Sequence, residues 1–257
     1  MGSFRQVAHG EKLPEVAKKK LAGCVQYWRR GSKENNGMMV NKLRRRDEII
    51  EKFADNQRIM IGGFATKGVP DKLIDALVAS GAKNLTVISN DTGDPGVGQG
   101  KLVGSRQAVK YVCSHLGRNP EASALGSSGE LDVELCPQGT LAERIRCGGS
   151  GLGGVLTKTG LGTVIEESSR KLEVDGESYL LATPLRADIA LVRARKADTF
   201  GNLLYHGTSR NFNPLVAMAA DLVIVEADEI VQVGSIDPDF VMTPGVVVHM
   251  ILAQDGE

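Results

Sequence analysis

Little in this 257-residue chain suits a metal, a membrane or a nucleic acid. Its four cysteines (Cys24, Cys113, Cys136 and Cys147) show no C-x-x-C spacing and have no paired histidines nearby. They read as free thiols of a reducing cytoplasm rather than as a zinc site. The four histidines are scattered and form no metal motif. Lys plus Arg and Asp plus Glu both number 31, so the formal net charge is zero. That balance argues against non-specific binding to nucleic acid or to an anionic membrane surface. No apolar run approaches the roughly 20 residues that span a bilayer. The first residues show no apolar stretch followed by a small-residue cleavage site, so a signal peptide is not expected. These absences together predict a cytoplasmic protein with no membrane, metal or nucleic-acid partner.

Hydrophobic residues make up 42% of the chain, enough for a sizeable core in one large α/β domain or two small ones. Residues 1–40 differ from the rest. They are basic, hold the only tryptophan and show no strand pattern. Val16, Leu21 and Val25 fall loosely on one helical face, and "GSKENNG" reads as a polar linker before Met38 and Met39. The expectation is an N-terminal extension over residues 1–38, disordered or preceding the true start, and a single domain over residues 39–257. A basic arm that binds a partner is the alternative for the extension.

From Leu43 the pattern is α/β. In "LRRRDEIIEKFAD", Leu43, Ile49, Ile50 and Phe53 recur at helical spacing. "RIMIGG" reads as a strand, and "PDKLIDALVASG" as a helix from near Pro70 to Gly81 with Leu73, Ala76 and Leu77 inward. "NLTVISND", "VKYVCSH" and "DVELCPQ" read as strands, and "GTLAERIRCGG" as a helix ended by glycines. "KLEVDGESYLL" alternates around Asp175-Gly176, a two-residue hairpin turn. "DIALVRA" and "DLVIVEA" are near-continuous apolar runs, which mark strands covered on both faces. The alternation predicts a mostly parallel sheet with helices on both faces, and ligands at the carboxyl ends of its strands.

At one such end lies "RIMIGGFATKGVP", Arg58 to Pro70. A strand, a glycine-rich turn and a helix in succession present backbone N–H groups and a helix N-terminus to an anion. The spacing G-G-F-x-x-x-G matches neither the dinucleotide fingerprint nor the Walker loop. On physical grounds two readings stand: an anion cradle suited to a phosphate or a developing oxyanion, or a tight turn packed on its own helix.

The segment "DNQRIMIGGFATKGVPDKLIDAL" resembles the N-terminal signature of the family I coenzyme A transferases in their alpha-subunit form. "NLTVISNDTG", "SHLGRNPE", "QGTLAERIRCGGSGLGG", "PLRADIALVRARKADTFGNL" and "RNFNPLVAMAADLVIVEADE" resemble that subunit in the same order, so the similarity covers about Met39 to the C-terminus. The resemblance implies a fold also shared with sugar-phosphate isomerases. It implies a coenzyme A loop at Gly62, Gly63, Phe64, Ala65, Thr66, Lys67 and Gly68, and coenzyme A or acyl-CoA as substrate with no tightly bound cofactor. In this family a glutamate carries coenzyme A as a glutamyl thioester, a covalent route with ping-pong kinetics. In two-subunit members that glutamate lies in the beta subunit, in a Ser-Glu-Asn-Gly setting.

No such setting occurs here. "SKENNGMMV" echoes it around Glu34 but has an extra Asn and lies in the polar linker. Glu166 and Glu167 read as a solvated face and Glu130 as part of a turn. Glu226, Asp228 and Glu229 close an apolar strand, where they shape the site or an interface. Gln138, Gly139 and Thr140 precede a helix whose N-terminus would lie near the ligand. The glycine cluster from Cys147 to Thr163 reads as a loop bordering the substrate or the partner subunit. In "RNFNP", Arg210 to Pro214, helix capping and subunit contact stand as equal readings. Phe64 is expected to pack beneath the turn, with lining of the pantetheine path as the alternative. Lys67 meets a phosphate or is simply solvated.

The resemblance thus implies the alpha subunit of a heteromeric CoA-transferase acting on acetate, acetoacetate or butyrate. No catalytic residue is expected in this chain, and a beta-subunit partner would complete an alpha2beta2 heterotetramer. A non-catalytic acyl-CoA-binding or regulatory module is the alternative. A sugar-phosphate isomerase would need its own carboxylate and lysine pair, and none is evident.

Overall fold

The computed structural model describes residues 41–254. The extension expected over residues 1–38, including Glu34 and the apolar positions Val16, Leu21 and Val25, lies outside the described residues.

Strand β1 (Leu43–Arg44) and the short helix Arg46–Ile50 lead into β2 (Arg58–Ile61). Helices Asp71–Ser80, Gly100–Gly104 and Pro120–Ser128 then alternate with β3 (Leu85–Ile88), β4 (Ala108–Cys113) and β5 (Asp132–Leu135). Helix Gln138–Gly149 precedes a small sheet of β6 (Val155–Thr157), β7 (Arg170–Val174) and β8 (Glu177–Ala182). The chain re-enters the main sheet as β9 (Ala187–Asp198), to which β10 (Leu203–Leu204) pairs antiparallel. Helix Asn213–Met218, β11 (Ala220–Val231) and β12 (Met250–Leu252) complete it. The order β1-β12-β11-β9-β2-β3-β4-β5 is parallel at every step.

Side-chain parity along the central strands builds two cores. Ile59, Ile61, Val87, Tyr111, Ile189, Leu191 and Ile224 point to one face and pack with Leu73 and Leu77, Leu102 and Leu125 from three helices. Their sequence neighbours Met60, Ile88, Val112, Ala190, Val192, Val223 and Val225 point to the other, against Leu141, Ile145 and Val216. Successive strand residues alternate faces, so an apolar run without polar interruption is what a doubly covered strand requires. Each large aliphatic side chain fully withdrawn from water contributes about 1.5–3 kcal/mol. The two cores therefore fix the sheet register far more strongly than the surface ion pairs do.

Three local readings change. Leu43 is not on the helix: it pairs with Ile251 in β1, and Arg45 stays extended (φ −69°, ψ 159°), so the helix starts at Arg46. The strand bond to β12 outweighs a weak helical period of one residue. Gln138, Gly139 and Thr140 form the first turn of their helix rather than preceding it. The glycine cluster is not one loop. Cys147 and Gly148 are buried in the last helical turn, where a Cβ on Gly148 would stand 1.9 Å from the Leu185 carbonyl oxygen, and Val155–Thr157 pairs with β8. The hairpin turn is as expected: Asp175 (φ 51°) and Gly176 (φ 77°) both take positive φ between antiparallel β7 and β8.

Candidate active site

The strand order reverses between β2 and β9. From β2 the chain steps outward through β3, β4 and β5, and from β9 it steps the other way through β11 to β12. Such a reversal opens a crevice beyond the carboxyl ends of the two central strands. The turn of residues 62–68 leaves β2 at that point.

Most of the turn's backbone is already engaged. The Gly62 N–H extends the ladder to the Leu191 carbonyl at 2.9 Å. Phe64 and Lys67 exchange N–H···O bonds of 3.0 and 2.9 Å, closing a two-residue tip with Ala65 at φ 50°. The Gly63 N–H donates to Asn211 Oδ1 at 3.1 Å, and the Ala65 N–H to Asp91 Oδ2 at 2.7 Å. Only the N–H groups of Thr66 and Gly68 find no acceptor among the described residues. An anion at this turn would therefore meet two free donors, not a full ring of them.

Phe64 does not pack beneath the turn. It is 47% exposed at the tip, beside half-buried Ala65 and exposed Thr66. The reciprocal bonds to Lys67 turn its side chain out of the core. The glycines also have another reason than ligand approach. A Cβ on Gly62 would stand 2.0 Å from Asn213 Oδ1, and one on Gly63 2.6 Å from Val69 Cγ2. One on Gly68 would stand 2.4 Å from the Ser209 carbonyl oxygen. Gly63 (φ 118°) and Gly68 (φ 67°) also need a backbone that side chains disfavour. At Gly62 and Gly68 the missing side chains admit the protein's own clamp.

That clamp is the RNFNP segment, whose side chains do not cap the helix Asn213–Met218. Asn211 Nδ2 donates to the Lys67 carbonyl at 2.9 Å. Asn213, fully buried, donates to the carbonyls of Gly68 and Ser209, both at 2.9 Å, and accepts the Arg193 N–H at 2.9 Å. Opposite, the buried Asp91 carboxylate takes N–H groups from Ala65, Gly93, Asn90 and Gln99. Gln138 Nε2 reaches Asn90 Oδ1 at 2.6 Å, which ties the start of its helix into the same network. Asp91 and Asn213 were not singled out for this work from the sequence. The signal was there in short polar residues just past strand ends, "SND" after β3 and "NFN" before a helix.

A cleft of about 410 Å³ opens beside the turn, lined in part by Thr66, Lys67, Gly68, Arg195, His206 and Asp228. The carboxylate in its lining, Asp228, and those just behind it, Asp71 and Glu226, are spoken for. Asp228 Oδ1 holds Arg193 at 2.8 Å, and Asp71 lies 3.9 Å from the same guanidinium. Glu226 lies 3.2 Å from Arg193 and accepts N–H bonds from Lys72 and Leu73. Burial pushes the Glu226 carboxyl above the usual range, against the pull of Arg193 and of those two N–H groups. Glu130 and Glu166 pair with Arg106 and Lys171, outside the cleft lining. Lys67 is exposed and has no ion pair among the described residues. The arrangement offers cations and free N–H groups to an anionic ligand, and among the described residues lining it no unengaged carboxylate to act as a nucleophile. Among the described residues no His, Cys, Asp and Glu cluster is placed to hold a metal ion, and Cys113, Cys136 and Cys147 are buried free thiols.

A family model described as Coenzyme A transferase matches residues 44–254. The chain is 49% identical to the acetate CoA-transferase subunit alpha of Escherichia coli K12 over 220 residues, 85% of this chain and 100% of that one. It is 50% identical over 216 residues to the acetoacetyl-CoA:acetate/butyrate CoA transferase alpha subunit of Clostridium acetobutylicum, covering 84% and 99%. Among solved structures it superposes on an acyl-CoA transferase of Escherichia coli O157:H7 in a thioester complex with CoA, with a TM-score of 0.75 and 20% identity. That match covers 84% of this chain and 47% of the other, so the chain spans about half the length of that solved chain.

Proposed function

The chain belongs to the coenzyme A transferase family, and from that premise we propose that it is the alpha subunit of a heteromeric cytoplasmic enzyme that moves coenzyme A between a short-chain acyl-CoA and acetate or acetoacetate. In this reading the turn of residues 62–68 receives the coenzyme. Thr66 and Gly68 present free N–H groups, Lys67 a cation, and Phe64 an exposed ring for the pantetheine arm or the partner's surface. The nucleophilic glutamate comes from a beta subunit that closes the cleft, and the assembly is an alpha2beta2 heterotetramer.

One observation carries the proposal. The turn that the resemblance assigns to the coenzyme is hydrogen-bonded across its tip and to Asn211 and Asp91, yet the carboxylates around it are consumed by Arg193, by a helix N-terminus and by the turn itself. A covalent route through a carboxylate needs one that is free to attack, and the cleft lacks it. The relatives' names, which mention acetate, acetoacetyl-CoA and butyrate, support the choice of short-chain acids.

The test is reconstitution. The purified chain alone transfers no coenzyme A; mixed with its beta partner it gains ping-pong activity, in a complex whose mass fits two copies of each. Borohydride reduction after treatment with acyl-CoA labels a glutamate of the partner and none here. Transfer by the single chain, or a label on any residue of this sequence, overturns the division of labour.

A further inference from the structure

We propose that Asn211 is a positioning residue for coenzyme A transfer: its carboxamide sets the geometry of the exposed Phe64–Lys67 tip on which the substrate is handled. The inference rests on the functional reading above and adds a residue to it.

The observation is one amide bridging both feet of the tip. Asn211 Oδ1 accepts the Gly63 N–H just before it, at 3.1 Å, and Nδ2 donates to the Lys67 carbonyl at its end, at 2.9 Å. The same Oδ1 accepts the Phe212 N–H at 2.7 Å and the same Nδ2 donates to the Thr208 carbonyl at 2.9 Å, so the amide is itself held in one orientation. Only a neutral group that accepts on one atom and donates on the other can make this set. Aspartate would present a second acceptor to two carbonyls, and alanine would leave the set unmade.

The backbone at Asn211 points the same way. It sits at φ 21°, ψ −119°, far from the regions side chains favour. A conformation of that kind persists only where the surroundings hold it, and such strain collects at functional sites. Glycine, having no Cβ, would adopt it at lower cost. An asparagine kept there trades stability for its side chain, and that side chain touches the turn rather than the cleft. The effect on substrate therefore runs through Gly63 and Lys67.

The experiment uses the reconstituted complex with its beta subunit. Asn211→Gly lowers the backbone strain while giving up the side-chain hydrogen bonds, so the complex assembles and melts within a few degrees of the wild type. It nonetheless loses about a hundredfold in kcat/KM for acyl-CoA, the scale of a misplaced positioning group. The KM of the acid acceptor stays within twofold. Asn211→Asp is equally impaired at neutral pH, and its activity relative to wild type recovers on acidification, as the protonated carboxyl regains a donor for the Lys67 carbonyl. Hydrogen exchange of the peptide spanning residues 58–70 is faster in both variants, with no change in helix Asp71–Ser80. The proposal is overturned if Asn211→Gly retains wild-type kcat/KM, if the complex fails to assemble or melts far below the wild type, or if exchange in the turn is unaltered. An inert wild-type complex would instead sink the functional reading itself, and is distinguished from those outcomes by needing no variant.

Discussion

Glu226 on β11 caps a helix to which it does not belong: its Oε2 accepts the N–H of Lys72 at 2.8 Å and of Leu73 at 3.3 Å. The helix Asp71–Ser80 begins after Pro70, whose ring can satisfy no N–H, so the acceptor has to come from elsewhere in the sheet. The other oxygen of Glu226 lies 3.2 Å from Arg193, whose guanidinium also donates to the Val69 carbonyl at 3.2 Å. One carboxylate thus fixes the angle at which the chain leaves the turn of residues 62–68 and enters the helix.

Replacing it separates capping from charge. Glu226→Ala removes the cap and leaves Arg193 short of a buried partner, a combined loss of about 2–4 kcal/mol. Glu226→Gln keeps an acceptor oxygen and escapes the cost of burying a charge, so it should lose less than half as much. Urea unfolding of the two variants measures the difference; equal losses would mean that charge, not capping, is the main role.

Phe64 should prove dispensable for folding. Its ring is 47% exposed, and surface substitutions away from caps and strained sites change stability by about 0.5 kcal/mol or less. Phe64→Ala is expected to unfold at the wild-type urea midpoint, while the reconstituted enzyme shows a KM for acyl-CoA raised several-fold. A loss of 2 kcal/mol or more, on the roughly 3–5 kcal/mol scale of buried aromatic truncation, would return the ring to the core.

A third test concerns the contact that makes Gly62 obligatory. Its absent Cβ would overlap Asn213 Oδ1 at 2.0 Å, so Gly62→Ala must displace an amide bonded to Gly68, Ser209 and Arg193. Overpacking of this kind costs about 1–3 kcal/mol. Asn213→Ala is destabilising as well, because it leaves buried carbonyls and an N–H without partners. The double variant should cost less than the two single losses summed, since each change removes the other's cause. Strict additivity in a denaturation cycle would show that the two residues do not meet.

How far the sequence disclosed this arrangement depends on which force shaped each part. The parallel sheet was legible because β9 and β11 are buried on both faces and carry unbroken apolar runs. The helix Asp71–Ser80 was legible because local signals, Pro70 before it and Gly81 after it, agree with its apolar stripe. The turn could be located but not explained. The reason for Gly62 and Gly68 lies about 150 residues further on, at Ser209, Asn211 and Asn213, and no local pattern reports a contact across that separation. Phe64 was misread for a related reason. An aromatic ring in an apolar context is ordinarily buried, and only the reciprocal bonds between Phe64 and Lys67 turn this one outward.

The last prediction concerns acid. His249 accepts the Val223 N–H on Nδ1 at 3.0 Å, so the neutral ring carries its proton on Nε2. Burial holds its pKa below the ordinary 6.5, with the nearby Lys42 ammonium adding to the effect and Asp221 opposing it. A proton on Nδ1 would set two donors against each other where β11 meets β12. The sign follows from which state protonates first. As pH falls the unfolded chain takes up its proton near 6.5, while the folded chain resists until a lower pH. The stability His249 contributes is therefore complete above about pH 6.5 and is lost as pH falls through the folded value, at no more than about 1.4 kcal/mol per pH unit. An asparagine in its place would offer a carboxamide oxygen to the same N–H and would not titrate. Melting temperatures of wild type and His249→Asn, compared between pH 8 and pH 5, should agree at the alkaline end and diverge on acidification, with the wild type falling further. Parallel curves would show that the ring is already free to protonate in the folded protein.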